Sequence, residues 1–176
     1  MNKYVRYSLP LTIVGLCLST NALADDRNKS IEAGATFIGD QTLATFGYSH
    51  ELGNNIVTGG GFSIGTDTID GLEEPNEQDA WGLHANVGYK FEVGEFDIIP
   101  KVGINYLNAD VKYNGTDPAS NDFNLDNVYA SVGGTVNWRM VGLSVDYGKL
   151  SDTYNPGTGD VKFDEDVVRV TASFNF

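Results

Sequence analysis

Three groups of side chains in this sequence have the type and spacing for chemistry. The first is the two histidines. His84 lies two residues before Asn86 in a stretch where apolar and polar residues alternate, and His50 interrupts the apolar set Ala44, Phe46, Tyr48 and Leu52. A general base needs a nucleophile or a substrate proton within hydrogen-bond reach. No nucleophile–base pair, cysteine cluster or glycine-rich phosphate loop accompanies either histidine, so a structural, hydrogen-bonded His84 is the expectation. The second group is carboxylates. Asp67, Asp70, Glu73, Glu74, Glu77 and Asp79 crowd one segment, and Asp160, Asp164, Glu165 and Asp166 crowd another. Clustered carboxylates suit calcium or magnesium, but the EF-hand pattern fails. With Gly71 as its sixth position, Thr66 and Thr68 stand where acids belong, although Glu77 fits the twelfth. Solvated acidic loops are expected instead, with no metal site and no cofactor. The third group is six charges on the polar side of alternating stretches: Glu32, Lys90, Lys101, Arg139, Asp146 and Arg169.

The elements that carry these groups repeat with a period of two, which sends successive side chains to opposite faces of a strand. Ile31, Ala33, Ala35 and Phe37 oppose Glu32, Gly34 and Thr36. Trp81, Leu83, Ala85, Val87, Tyr89 and Phe91 oppose Gly82, His84, Asn86, Gly88 and Lys90. Ile98, Pro100, Val102, Ile104 and Tyr106 oppose Lys101, Gly103 and Asn105. Val128, Ala130, Val132, Val136 and Trp138 oppose Tyr129, Ser131, Thr135, Asn137 and Arg139. Val141, Leu143, Val145 and Tyr147 oppose Ser144 and Asp146. In the last ten residues Val168, Val170, Ala172, Phe174 and Phe176 alternate with Val167, Arg169, Thr171, Ser173 and Asn175. With two further stretches, residues 44–52 and 56–66, the count is eight strands. Folding back from Lys149 opposite about Val167 places Asp146 level with Val170 and diagonal to Arg169, which makes Asp146–Arg169 the expected ion pair.

Residues 1–24 read as a secretory leader. Lys3 and Arg6 precede the apolar run Leu9–Leu18, and Ala22-Leu23-Ala24 is a cleavage site. Cys17, the single cysteine, is expected to leave with the leader, so no disulfide framework remains. The leader holds two of the 11 basic residues and none of the 24 acidic ones, leaving nine against 24 and a net charge of −15. Nucleic acid is excluded as a partner by that balance. One domain is expected over residues 25–176.

The connections alternate in kind. Turns near Gly53, Gly94 and Met140 are tight, whereas Asp67–Asp79, Asp110–Asp126 and Ser151–Asp166 read as long acidic loops. Tight turns on one side and long loops on the other are the asymmetry of an up-and-down outer-membrane barrel. Aromatics sort accordingly, with Phe37, Trp81, Tyr106 and Tyr147 at loop-side ends and Tyr89, Phe91, Phe96, Trp138, Phe174 and Phe176 at turn-side ends.

The terminal Val168–Phe176 pattern, the run Ile99-Pro100-Lys101-Val102-Gly103-Ile104-Asn105-Tyr106 and the repeated aromatic–glycine spacing resemble the small eight-stranded outer-membrane barrels. That group holds the adhesin/invasin type (Ail and OmpX), the opacity proteins and the OmpA transmembrane domain. The resemblance implies an all-β, antiparallel, up-and-down transmembrane barrel in the outer membrane of a Gram-negative bacterium, exported through the Sec pathway. It implies that Val168, Val170, Ala172, Phe174 and Phe176 form a C-terminal assembly signal read by the barrel-assembly machinery. The bilayer and lipopolysaccharide are the implied surroundings, an extracellular or host ligand at the acidic loops the implied partner, and a monomer the implied state. Such barrels include lipid A acyltransferases and deacylases. This chain lacks the serine two residues after a histidine and the leading amphipathic helix of those enzymes, so a non-enzymatic role in envelope structure and surface adhesion is expected. A narrow pore and a soluble periplasmic ligand-binding β-domain are the alternatives.

Overall fold

The computed structural model describes residues 28–39, 41–69, 76–112, 123–154 and 161–176. The expected leader lies outside them. The elements are β1 (Lys29–Ile38), β2 (Gln41–Glu51), β3 (Ile56–Ile69), β4 (Asn76–Tyr89), β5 (Phe91–Val93), β6 (Phe96–Lys112), β7 (Phe123–Trp138), β8 (Val141–Tyr154) and β9 (Val161–Asn175). All pair antiparallel, and β1 pairs with β9 from Ser30–Asn175 to Ile38–Val167, which closes the sheet. Closure leaves no unpaired edge, the condition for a sheet to sit in hydrocarbon.

β4 and β5 are one stave of the barrel, because Gly88–Lys101 and Phe91–Ile98 keep a single register against β6. The barrel therefore has eight staves. The interruption has a covalent cause. Lys90 N–H donates to the Asn55 carbonyl on the β3 side at 2.8 Å. Bonding alternates along a strand, so Tyr89 faces β6, where Pro100 has no N–H to give.

Cross-strand partners once around the barrel run Ser30, Ser49, Gly59, Asn86, Gly103, Ser131, Gly148, Val167 and then Ile38, eight positions further along β1. A stagger of eight on eight strands goes with a tilt of about 36° and an interior that side chains fill.

The outward face is the apolar one. Leu83, Val102, Val132 and Leu143 are all more than half exposed, whereas their neighbours His84, Lys101 and Ser144 are buried. Among the described residues, buried polar or charged side chains number fourteen and buried hydrophobic ones nine. That inverts a soluble protein and suits an apolar solvent. Aromatic rings meet at both ends of the staves. Trp81 and Tyr106 lie 5.2 Å apart on the loop side, and Tyr89 and Phe91 lie 4.9 Å apart on the turn side.

The strands run further than the alternation suggested. β3 and β4 pair up to Ile69–Asn76, β6 and β7 up to Val111–Phe123, and β8 and β9 up to Tyr154–Val161. Much of each segment read as a long loop is therefore paired strand. Its polar residues hid this, since backbone pairing beyond the membrane does not need an apolar face.

Candidate functional site: a filled and sealed lumen

The inward residues form layers. In the middle, Asp146 on β8 stands directly opposite Arg169 on β9. The expected register was one residue out, because Lys149 pairs with Asp166 instead of Val167. Arg169 reaches Asp146 Oδ2 with Nη2 at 2.9 Å and Nε at 3.0 Å. Lys101 Nζ stands 3.2 Å from the same oxygen and donates to Ser144 Oγ at 2.6 Å. Arg169 Nη1 donates to Asn105 Oδ1 at 3.1 Å, and Asn105 Nδ2 donates to Ser131 Oγ at 2.9 Å. One carboxylate thus anchors two cations in a chain from Ser144 to Ser131 that ties β6, β7, β8 and β9 together. Charge-assisted bonds of this kind offset the cost of burying ions only when each partner is in place.

Glycine makes room for this network. Asp146 Oδ1 lies where a Cβ on Gly133 would be, and Gly133 is its direct cross-strand partner. His84 leans over its own partner Gly61, with Cε1 2.7 Å from the point a Cβ would occupy. Lys101 has Gly88 on one side and Gly133 on the other. A large inward side chain opposite a glycine is how eight narrow staves admit ions and rings. Composition showed abundant glycine, but the pairing appears only once the register is known.

The other expected site residues fall as follows. Glu32 Oε2 accepts from Thr171 Oγ1 at 3.2 Å inside the lumen. Thr36, Thr45 and Ser63 form a buried hydroxyl cluster, with Thr45 Oγ1 2.7 and 2.8 Å from the other two oxygens. Lys90 sits at the turn-side mouth between Glu51 at 2.7 Å and Glu92 at 3.3 Å. Arg139 is not a lumen charge. Trp138 pairs with Val141, so Arg139 lies in the two-residue turn, in the left-handed region at φ 56°. There it meets Glu95 at 3.3 Å, and its guanidinium carbon lies 5.3 Å from the Trp138 ring centroid. Strand parity had been extended past the end of its strand.

Val168, Val170, Ala172 and Phe174 share the outward parity of β9, and Phe174 stacks on Phe176 at 6.4 Å. Phe176 and Lys29 exchange both backbone bonds, at 2.8 and 3.1 Å, which fastens the C-terminus to β1. His50 Nδ1 is 3.0 Å from the Asn28 carbonyl. Of the loop carboxylates, Asp166 accepts from the Tyr147 hydroxyl at 2.7 Å, and Asp164 pairs with Lys149 at 3.0 Å. The hydrogen bond that the Lys149 ammonium donates to Asp164 holds it above the usual lysine range. Asp70, Glu73, Glu74 and Asp160 lie outside the described residues.

The alternation had divided residues into an apolar exterior and a polar lumen, and so missed the loop-side layer. Ile38, Leu43, Leu107, Ala109, Leu150 and Val167 are inward, buried and in one cluster with Ala80, packed against Tyr129. Leu43 is 1% exposed and Leu150 0%. The lumen is therefore polar in its middle and closed by hydrocarbon at the loop end.

No family model and no curated protein matches the sequence. Solved structures do. The N-terminal β-barrel domain of Pseudomonas aeruginosa OprF superposes with a TM-score of 0.54 at 12% identity, covering 86% of this chain and 98% of that one. Ail, the attachment invasion locus protein of Yersinia pestis, superposes with a TM-score of 0.53 at 10% identity over 86% and 100% of the two chains. Ail in complex with the heparin analogue sucrose octasulfate gives 0.52 at 12% identity over 85% and 97%. At such identity the likeness concerns the backbone and its closure. The chain has the fold of the small eight-stranded outer-membrane β-barrels.

Proposed function

We propose that the chain is an integral outer-membrane barrel with no catalytic role, serving envelope structure and presenting acidic loops as an interaction surface. The observation that carries this reading is the pairing of an apolar exterior with a lumen filled by ion pairs and sealed by the Leu43–Leu107–Leu150 layer. A body of this kind needs a bilayer and offers no continuous aqueous path. Among the described residues, the direct cross-strand partners of His84 are Gly61 and Asn105, neither able to attack a substrate.

Charge narrows the loop partner. The Ail complex holds a polysulfated ligand, whereas this chain carries a net charge of −13 before any cleavage. A polyanion would be repelled, so the loops suit a basic protein surface or contact bridged by cations. Fractionation tests the reading: the protein should stay in the membrane pellet after carbonate washing and shift its gel mobility on boiling. Planar-bilayer recordings of the pure barrel should give no steady porin-sized steps. Release by carbonate, or large stable openings, would overturn it.

A further inference from the structure

The outer face carries a shallow, open groove of about 420 Å³ over β3, β4, β6 and β7, lined by Ile56, Val87, Tyr89, Pro100, Val102 and Val132. Val87, Val102 and Val132 form one cross-strand row towards the middle of the apolar band. The next row towards the turns is Tyr89, Pro100 and Gly134. Pro100 is short and Gly134 has no side chain, so the wall drops there between Tyr89 and the valines. The same proline leaves the Tyr89 carbonyl facing a ring carbon where the ladder should supply an N–H. A backbone carbonyl that the ladder leaves without a donor at the membrane interface needs one from outside the sheet. The groove and the unmatched acceptor are independent consequences of one residue, and they lie side by side.

We propose that this groove holds one phospholipid of the turn-side leaflet, its acyl part lying over the Val87–Val102–Val132 row, with a primary-ammonium headgroup donating to the Tyr89 carbonyl. Hydrocarbon is what the apolar band meets, and the Val87–Tyr89 direction runs from bilayer interior to interface. Charge favours a cationic donor over an anionic headgroup. Glu51, Glu92 and Glu95 stand at this rim against Lys90 and Arg139, with which they pair, so acid remains in excess there. The outer faces of a second copy present chiefly apolar side chains at this depth, which fill a groove but do not satisfy a carbonyl. The inference rests on the bilayer reading above only in requiring insertion. That reading fails if the barrel stays out of vesicles, whereas this one fails with the barrel inserted.

The test is lipid retention. The full chain is folded into vesicles holding equal amounts of phosphatidylethanolamine and phosphatidylcholine with identical acyl chains, released in mild detergent and weighed by native mass spectrometry. The quaternary headgroup of phosphatidylcholine has no N–H, so the wild type should retain phosphatidylethanolamine in about tenfold preference, the scale of one hydrogen bond from a charged donor. Pro100→Ala restores the ladder N–H and should erase the preference while both lipids are still retained. Val102 is 57% exposed, so Val102→Phe grows into the groove without touching the lumen and should cut retention of both lipids about tenfold. Unchanged heat-modifiability shows that each variant is folded. Equal retention of the two lipids by the wild type, or undiminished retention by Val102→Phe, overturns the proposal. A dimer peak lost in Val102→Phe would assign the groove to a second copy and overturn it likewise.

Discussion

The two halves of the lumen solve the same packing problem with opposite materials. Towards the loops, Ile38, Leu43, Leu107, Leu150 and Val167 close the barrel with hydrocarbon. Towards the middle and the turns, Asp146, Lys101, Arg169, Asn105 and Ser144 close it with hydrogen bonds. The turn-side half also has small polar cavities of about 30 and 20 Å³, lined by residues such as Ser30, Ser49 and Asn137, each large enough for a water molecule. The described loop-side layer is lined by hydrocarbon instead. An inward face needs polarity only where ions or water must be satisfied, and Ile38 and Leu150 show that closure itself is indifferent to it. The contrast also sets the response to damage. A truncated apolar layer loses contacts in proportion to the atoms removed, whereas a network centred on one carboxylate fails as a unit.

The largest effect should follow from Asp146→Asn, because two buried cations depend on that oxygen. Stranding one buried charge costs about 3–5 kcal/mol, and here Lys101 and Arg169 are both left without their acid. Urea unfolding in lipid vesicles should show a larger loss for Asp146→Asn than for Arg169→Gln. The double variant should lose less than the sum of the two, and additive losses would show that the residues do not cooperate. Leu150→Ala should come next, at about 2–5 kcal/mol for a fully buried leucine. If the loop-side layer is the seal, it should also raise leak through the barrel in bilayer recordings, which Asp146→Asn should not do while the layer is intact. On the outer face, Val132→Arg should cost about 2–4 kcal/mol near the bilayer midplane. Ser131→Arg places its charge in the filled lumen instead, and if it proved the milder by fractionation and refolding together, the lumen at that height would be open rather than packed.

How much of this was legible depended on range. The sorting of Leu83 from His84 and of Val132 from Ser131 is a local property with period two, so the sequence carries it directly. The Asp146–Arg169 contact was legible as a neighbourhood, but its register was not, since that depends on how the β8–β9 connection closes. Arg139 was misplaced because alternation gives no sign of where a strand stops, and the left-handed turn at Trp138–Val141 begins one residue earlier. Asp67–Ile69 and Asn76–Asp79 looked like loop because they are mostly polar, yet their backbones pair. The apolar layer was hidden in plain view: Ile38, Leu43 and Leu150 lie on the polar parity of their strands, and a two-class reading has no place for an apolar residue that faces inward. Gly61 and Gly133 carry no signal of their own, since their meaning lies in the side chain opposite.

The smallest effect belongs to the turn side, where the charged contacts are exposed and should contribute little. Glu95 accepts from Arg139 at 3.3 Å and from the Trp138 indole at 3.4 Å. The hydrogen bond from Arg139, followed by that from Trp138, holds its carboxyl below the usual carboxylate range. A depressed acid contributes stability that is present above its unfolded-state value and is lost as pH falls through the folded one. The contact should therefore be intact at neutral pH and disappear only under acid conditions below the ordinary carboxylate range. Carboxyl carbon shifts followed by NMR titration in micelles should place the Glu95 midpoint below those of unpaired glutamates. In Arg139→Met that midpoint should move up towards them, while the urea midpoint of the barrel at neutral pH stays unchanged within error. A large loss of stability in Arg139→Met would mean that the turn side, and not the ionic middle of the lumen, holds the barrel closed. An unmoved Glu95 midpoint would mean that the contact does not persist in solution.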